Sequence, residues 1–214
     1  EGRADISIEK PGLNTAYADM DGHPACYAAQ KLREEGLFVG EQVGGVYYFD
    51  PDRAVTRGEF MAMALSLTGQ AGDLTPVVKT GLSDDAATPA WLKPYAAAAL
   101  EAGILTGVGA PDGGRQLRAS QEVTRAEAVV MLNNALGTAD ASALIPADWA
   151  AAPVWAQQAA INMQSAGVID VFYDGTLRMS ETVTRADAAE MLLTALNIKK
   201  AAEPNKGLLS WVFG

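Results

Sequence analysis

Val123-Thr124-Arg125-Ala126-Glu127-Ala128-Val129-Val130-Met131-Leu132 is the stretch on which the fold turns. A threonine followed three residues later by a glutamate, at the head of an apolar run, is a helix start. The hydroxyl accepts the backbone N–H three residues on, and the acid reaches back to the threonine N–H. The stretch recurs as Thr56-Arg57-Gly58-Glu59 and as Thr184-Arg185-Ala186-Asp187. Seven residues after each threonine stands a methionine (Met63, Met131, Met191), and thirteen residues after it a helix stop (Gly69, Gly137, Asn197). The methionines read as core filler. Asp187 is one methylene shorter than glutamate, so the third box is expected to be slightly weaker.

Working outward, a second anchor precedes each box. Asp84 comes before Trp91, with Gly103 twelve residues past Trp91; Asp148 comes before Trp155, with Gly167 twelve residues past it; Asp19 comes before Pro24, with Gly36 twelve residues past it. The intervening residues read as a helix closed by glycine in the left-handed conformation. Between the anchors lie turn-forming runs: Gly44-Gly45, Pro111-Asp112-Gly113-Gly114 and Asp174-Gly175. The predicted fold is therefore all-α, with three helix-loop-helix units at 17–69, 80–137 and 144–197. A leading segment covers 1–16 and a tail 198–214, its Trp211-Val212-Phe213 apolar enough to pack back on the body. Linkers fall near Gln70–Lys79 and Thr138–Ile145. Two short helices cannot bury both apolar faces, so the units are expected to stack or to close into a pseudo-threefold body.

Composition narrows the function. The formal charge of -10 argues against nucleic acid and anionic membrane surfaces. No apolar run reaches the length of a membrane span. One cysteine, Cys26, allows no internal disulfide, and one histidine, His23, leaves little for a zinc site. No nucleophile elbow or phosphate-binding loop is present, and no cofactor is expected. The chain begins at Glu1 rather than Met, which reads as a mature or truncated piece.

The pattern of Asp, Trp, helix, Gly-Ile, an Asp-Gly turn and Val-Thr-Arg-Ala-Glu resembles the S-layer homology repeat. It is clearest in Ala102-Gly103-Ile104-Leu105-Thr106-Gly107 with Val123–Glu127, and in Tyr173–Leu177 with Val183–Asp187. The resemblance covers roughly residues 17–197 and implies a pseudo-trimer with a central three-helix bundle formed by the box helices. It also implies a non-enzymatic anchor holding an exported protein on the cell wall of a Gram-positive-type envelope. The ligand would be a secondary cell-wall polysaccharide, commonly pyruvylated, bound in grooves between repeats where the box arginines take part. The unit would be secreted, monomeric and not membrane-inserted. Three positions depart from the pattern: His23-Pro24 where His-Trp is typical, Gly58 where alanine is typical, and Val171 at the place of Gly40 and Gly107. If backbone must approach the sugar there, Val171 crowds it, so the grooves are not expected to bind equally.

The candidate contacts follow from chemistry. A ketal carboxylate needs positive charge and donors. Arg57, Arg125 and Arg185 each stand one residue past a cap, where free N–H groups and the helix dipole would add to a planar guanidinium fork. The competing reading for each arginine is an ion pair with an acid such as Glu59 or Glu127. Trp91 and Trp155 read as core aromatics at the helix start, with stacking on sugar rings as the competing reading. Gly40, Gly107 and Asp84 complete the candidate set, with Asp84, like Asp19 and Asp148, also readable as a loop cap. Three other functions compete: a helical scaffold for protein partners, a calcium module using Asp170, Asp174 and Glu181 (spoiled by Phe172), and a cell-wall glycosidase using paired carboxylates such as Asp84-Asp85.

Overall fold

The computed structural model describes residues 17–202. Six α-helices carry the described chain: α1 (Cys26–Glu34), α2 (Arg57–Leu67), α3 (Lys93–Glu101), α4 (Arg125–Leu136), α5 (Val154–Ser165) and α6 (Arg185–Ala202). The all-α expectation needs one correction. Two loops fold into two-stranded antiparallel hairpins, β1 (Glu41–Val43) with β2 (Val46–Tyr48), and β3 (Val108–Gly109) with β4 (Arg115–Gln116). The glycine-rich runs sit at their tips. In the third unit the matching loop is only a turn, with the Phe172 N–H donating to the Thr176 carbonyl.

The helix boundaries follow the capping chemistry. Thr56 and Thr124 form complete boxes with Glu59 and Glu127. Thr184 does the same with Asp187, at 3.0 Å for the threonine N–H and 3.1 Å for the return bond. These lengths match those of the second box, 3.0 and 3.3 Å, so the shorter acid caps as well as the longer one. Gly36, Gly103 and Gly167 all take positive φ, and the residue after each donates back across the last turn, as in Ile104 N–H to the Ala99 carbonyl. Asn197 is a correction: it stops nothing, and α6 continues to Ala202. Nothing in Ile198-Lys199-Lys200-Ala201-Ala202 opposes a helix. Lys199 and Lys200 suit its negative end, and Lys200 pairs with Glu35, just past α1, at 2.6 Å. The expected packing of Trp211–Phe213 lies outside the described residues.

The three box helices pack on one another, α2 against α4 and α6, and α4 against α6. Their inward faces are fully apolar, with Met61, Leu65, Leu132 and Leu192 all without solvent exposure, and Met63, Met131 and Met191 nearly so. The outer helices do not pack mainly on their own units. The most extensive helix contacts are α3 on α2, α5 on α4, and α1 on α6. Each sequence unit therefore lends its first helix to the box helix of another unit. That explains how a pair of short helices with little surface of its own finds a core.

Just ahead of the boxes, three buried valines join in a closed circuit of backbone bonds. Val55 N–H donates to the Val183 carbonyl, Val183 to Val123, and Val123 to Val55, each at 2.9 Å. The box starts are locked by a second circuit that runs in the opposite sense. Arg57 and Gly58 N–H donate to the Gln121 and Ala119 carbonyls, Arg125 and Ala126 to Glu181 and Met179, and Arg185 and Ala186 to Arg53 and Pro51. Gly58 has a local reason: a β-carbon there would stand 2.5 Å from a Leu92 methyl, which already fills the space.

Candidate functional site

The residues before each box form a clamp that places the arginine. Asp84 accepts from the Leu117 and Arg118 N–H groups at 2.8 and 2.7 Å. Asp148 accepts likewise from Leu177 and Arg178, and Asp19 from Phe49 and Asp50. The second residue of each pair is a non-glycine with positive φ: Asp50 at 58°, Arg118 at 56° and Arg178 at 52°. The carboxylate holds the chain in a left-handed kink that its side chain would otherwise disfavour. The carbonyl of the first residue then receives the arginine of the preceding box. Arg57 Nε donates to Leu117 at 3.0 Å, Arg125 Nε to Leu177 at 3.0 Å, and Arg185 Nε to Phe49. Asp84 is thus a loop clamp with both oxygens accepting backbone N–H groups.

A second correction concerns the helix starts. Their first two N–H groups are taken by carbonyls of the next unit, and the third by the cap hydroxyl. No N–H is left over for a carboxylate at any of the three boxes. At the boxes only the guanidinium groups could still offer donors to an anion.

All three arginines are buried, between 5 and 7% exposed, yet their outer nitrogens meet three different fates. Arg57 Nη1 pairs with Glu127 at 2.7 Å, which is the ion pair entertained from sequence. Arg125 makes no hydrogen bond or ion pair through its outer nitrogens among the described residues; its guanidinium lies 5.1 Å from the Phe172 ring centre. Burial draws its pKa below the ordinary arginine value, and Asp187 and Glu181 oppose that shift; the group stays charged. Arg185 is wedged 4.5 and 4.8 Å from the Phe38 and Phe49 ring centres, with a buried Nη2 that has no partner. Burial, then repulsion from Arg53, lowers its pKa.

Two crevices open beside these groups. One of about 470 Å³ holds Arg125 between the 167–172 loop, the exposed flank of α6 and Tyr27 of α1. The other, about 430 Å³, holds Arg57 beside Gly107, the flank of α4 and Trp155. Each gathers residues from all three sequence units. Arg185 borders a smaller hollow of about 290 Å³ with Asp19, Asp50 and Tyr48.

The aromatic candidates are not core residues: Trp91 is 59% and Trp155 62% exposed. Trp91 stands edge-on to Tyr95 at 6.2 Å. Tyr27, three residues past the Pro24 that replaces tryptophan, is equally exposed and supplies the aromatic of the Arg125 crevice. Sequence reasoning missed it because it tracked the tryptophan position alone. Gly107 lines its crevice with φ +75°, pressed against the β4 backbone. Gly40 serves packing: a β-carbon there would meet the Tyr48 carbonyl at 2.1 Å and the Tyr17 ring at 2.5 Å, and its N–H donates to Tyr17 Oη. Val171 lines the Arg125 crevice, half exposed. Asp174, the best acid of the calcium pattern, is already held by the Thr176 hydroxyl and N–H and by Arg178, which pull its pKa down to about 2.

A buried arginine beside an exposed aromatic recurs at the two larger crevices, each shared by the three helical units. Residues 16–61 match the family model of the S-layer homology domain, so the first unit contains such a domain. That domain associates the chain with the cell wall and the cell surface. The match falls on the unit whose His23-Pro24 and Gly58 depart from the pattern. No curated protein matches the chain. No helix among the described residues is long and apolar enough to cross a membrane.

Proposed function

We propose that the chain is a non-catalytic anchor that holds an exported protein on a bacterial cell wall by binding an acidic, pyruvate-bearing secondary polysaccharide. In this reading all three units are of S-layer homology type and close as a pseudo-threefold body around α2, α4 and α6. The closed circuit of Val55, Val123 and Val183 supports that arrangement, because each unit supplies the same donor and the same acceptor in turn.

The observation that carries the function is Arg125. Its guanidinium is largely buried, has no acid partner and turns its outer nitrogens to the crevice, an exposure that a structural role through Nε alone does not require. A ligand carboxylate at its outer nitrogens would satisfy it with a two-pronged, charge-assisted contact. The acids around it, Asp170, Asp187 and Glu190, suit sugar hydroxyls, which donate to carboxylates, and Tyr27 offers an apolar face for a ring. The net charge of -10 does not forbid this, because charges beyond about 8 Å are screened at physiological salt.

The test is retention on purified cell-wall sacculi, before and after acid extraction of the polysaccharide. Binding should vanish on extraction, and Arg125→Ala should weaken it about 10- to 100-fold, the loss of one or two charged contacts. The thermal midpoint checks that the variant folds. A protein-partner scaffold is the second reading, favoured by the exposed side chains of Leu144, Ile145 and Val154. Retention that survives extraction would favour it.

A further inference from the structure

We infer that the acid at the third helical position of the second and third capping boxes decides whether the arginine of the preceding unit is open to ligand: Glu127 occupies Arg57, whereas Asp187 leaves Arg125 free. The inference rests on the anionic-ligand reading above and assigns unequal roles to its crevices.

The geometry is specific. Glu127 divides its work between two oxygens. Oε2 accepts the Thr124 N–H at 3.0 Å, while Oε1 reaches Arg57 Nη1 at 2.7 Å. The pair is well shielded, with the two side chains 6 and 22% exposed, so a ligand acid must displace a desolvated partner rather than a loose surface one. Asp187 stands at the same place in the next crevice. Its side chain is shorter by one carbon–carbon bond, about 1.5 Å. Its Oδ2 accepts from both the Thr184 N–H and hydroxyl, at 3.0 and 2.8 Å, and no ion pair to Arg125 forms. Asp170 and Glu190 line that crevice too, and neither pairs with Arg125. The third arginine is governed differently. Glu59 turns its Oε1 to Arg53 at 3.2 Å, and Arg185 is withdrawn between two phenyl rings. One crevice is open, one is occupied by its own glutamate, and one is closed by packing.

The reciprocal swap isolates this effect from folding. Both acids complete the cap with bonds of matching length, so Glu127→Asp and Asp187→Glu keep the helix starts intact. Titration calorimetry with a monosaccharide bearing a pyruvate ketal reads the crevices. Wild type should bind one equivalent. Asp187→Glu should weaken that site about tenfold or more. Glu127→Asp should add a second equivalent, abolished by Arg57→Ala. A ligand-free readout accompanies it, the rotation of each arginine about its Nε–Cζ bond by NMR. It should be slow for Arg57 and fast for Arg125 in wild type, with each swap reversing its own arginine. If wild type fails to bind the probe, the polysaccharide reading and this inference fall together. If wild type binds and the swaps change neither stoichiometry nor affinity, or if Arg125 already rotates slowly, only the gating role of the acid is overturned.

Discussion

The seams between units and the crevices that open beside them are built from neighbouring residues, yet they have diverged to different degrees. At the seams every unit repeats one set of bonds: valine to valine, the first two helical N–H groups to two carbonyls, aspartate to two N–H groups, and arginine Nε to one carbonyl. In the crevices the same arginines are paired, open or wedged between rings. The difference follows from what each atom holds. Nε fastens a buried backbone carbonyl, and losing it leaves that carbonyl unsatisfied. The outer nitrogens touch only side chains, which can change without disturbing the frame. A single arginine thus carries a structural role that is uniform and a binding role that differs from unit to unit.

The sharpest way to break this comparison is to remove a clamp. Asp84→Ala strands the Leu117 N–H, which is fully buried, together with the Arg118 N–H, and frees a residue held at positive φ. Two charge-assisted bonds of this kind predict a loss of about 3 kcal/mol in urea unfolding. Because Leu117 also receives Arg57, the Arg57 crevice should lose its shape with it. A loss below about 1 kcal/mol would mean that the clamps are incidental and the seams are held by helix packing alone.

Much of the seam was hidden from the sequence, and the reason is physical. The capping boxes were legible because their partners lie three residues apart, and the glycine stops because positive φ favours glycine. The kinks at Asp50, Arg118 and Arg178 carry no such signal: each stands six residues before its threonine, but the residue types vary and only the distant aspartate makes the conformation tolerable. Those aspartates lie 30, 33 and 29 residues before the paired Phe49, Leu117 and Leu177, offsets that shift with the length of the intervening segments. The free helix N-termini were a local expectation overruled by neighbouring chain. The arginines were legible by repetition; that Glu127 pairs with Arg57, and Asp187 with nothing, depends on a contact between units that no spacing reveals. Asn197 misled because a residue that tolerates the left-handed cap does not impose it.

A subtler probe of the uniform seams is the cap hydroxyl. Thr56→Ala, Thr124→Ala and Thr184→Ala each strand one helical N–H, that of Glu59, Glu127 or Asp187. The expected cost is about 1 kcal/mol for each. Since the bonds are alike, the three losses should agree within about 0.5 kcal/mol. A markedly smaller loss for Thr184→Ala would restore the expectation that aspartate makes the weaker box.

The smallest effect concerns a device found in one unit. Asp85 accepts from Lys93 Nζ at 2.7 Å and from the Thr80 N–H and hydroxyl at 2.7 and 2.8 Å, tying the linker to the start of α3. The third unit has Trp149 at the matching place, next to Asp148. The hydrogen bond from Lys93, then those from Thr80, hold the Asp85 carboxyl at about 2, below its ordinary 3.8. A depressed carboxylate favours the folded state above its unfolded pKa and loses that contribution as the proton binds. Its share of stability is therefore complete above about pH 4 and gone near pH 2. Thermal midpoints of wild type and Asp85→Asn, followed from pH 5 to pH 2, should converge as the pH falls, because protonation and amidation remove the same charge. As a single partly shielded ion pair near the surface, its contribution should be slight and should shrink further in added salt. Parallel curves at every pH would show that the linker is held by its own turn at Gln70–Asp73, and that this tie, unlike the clamps, is dispensable to the unit that carries it.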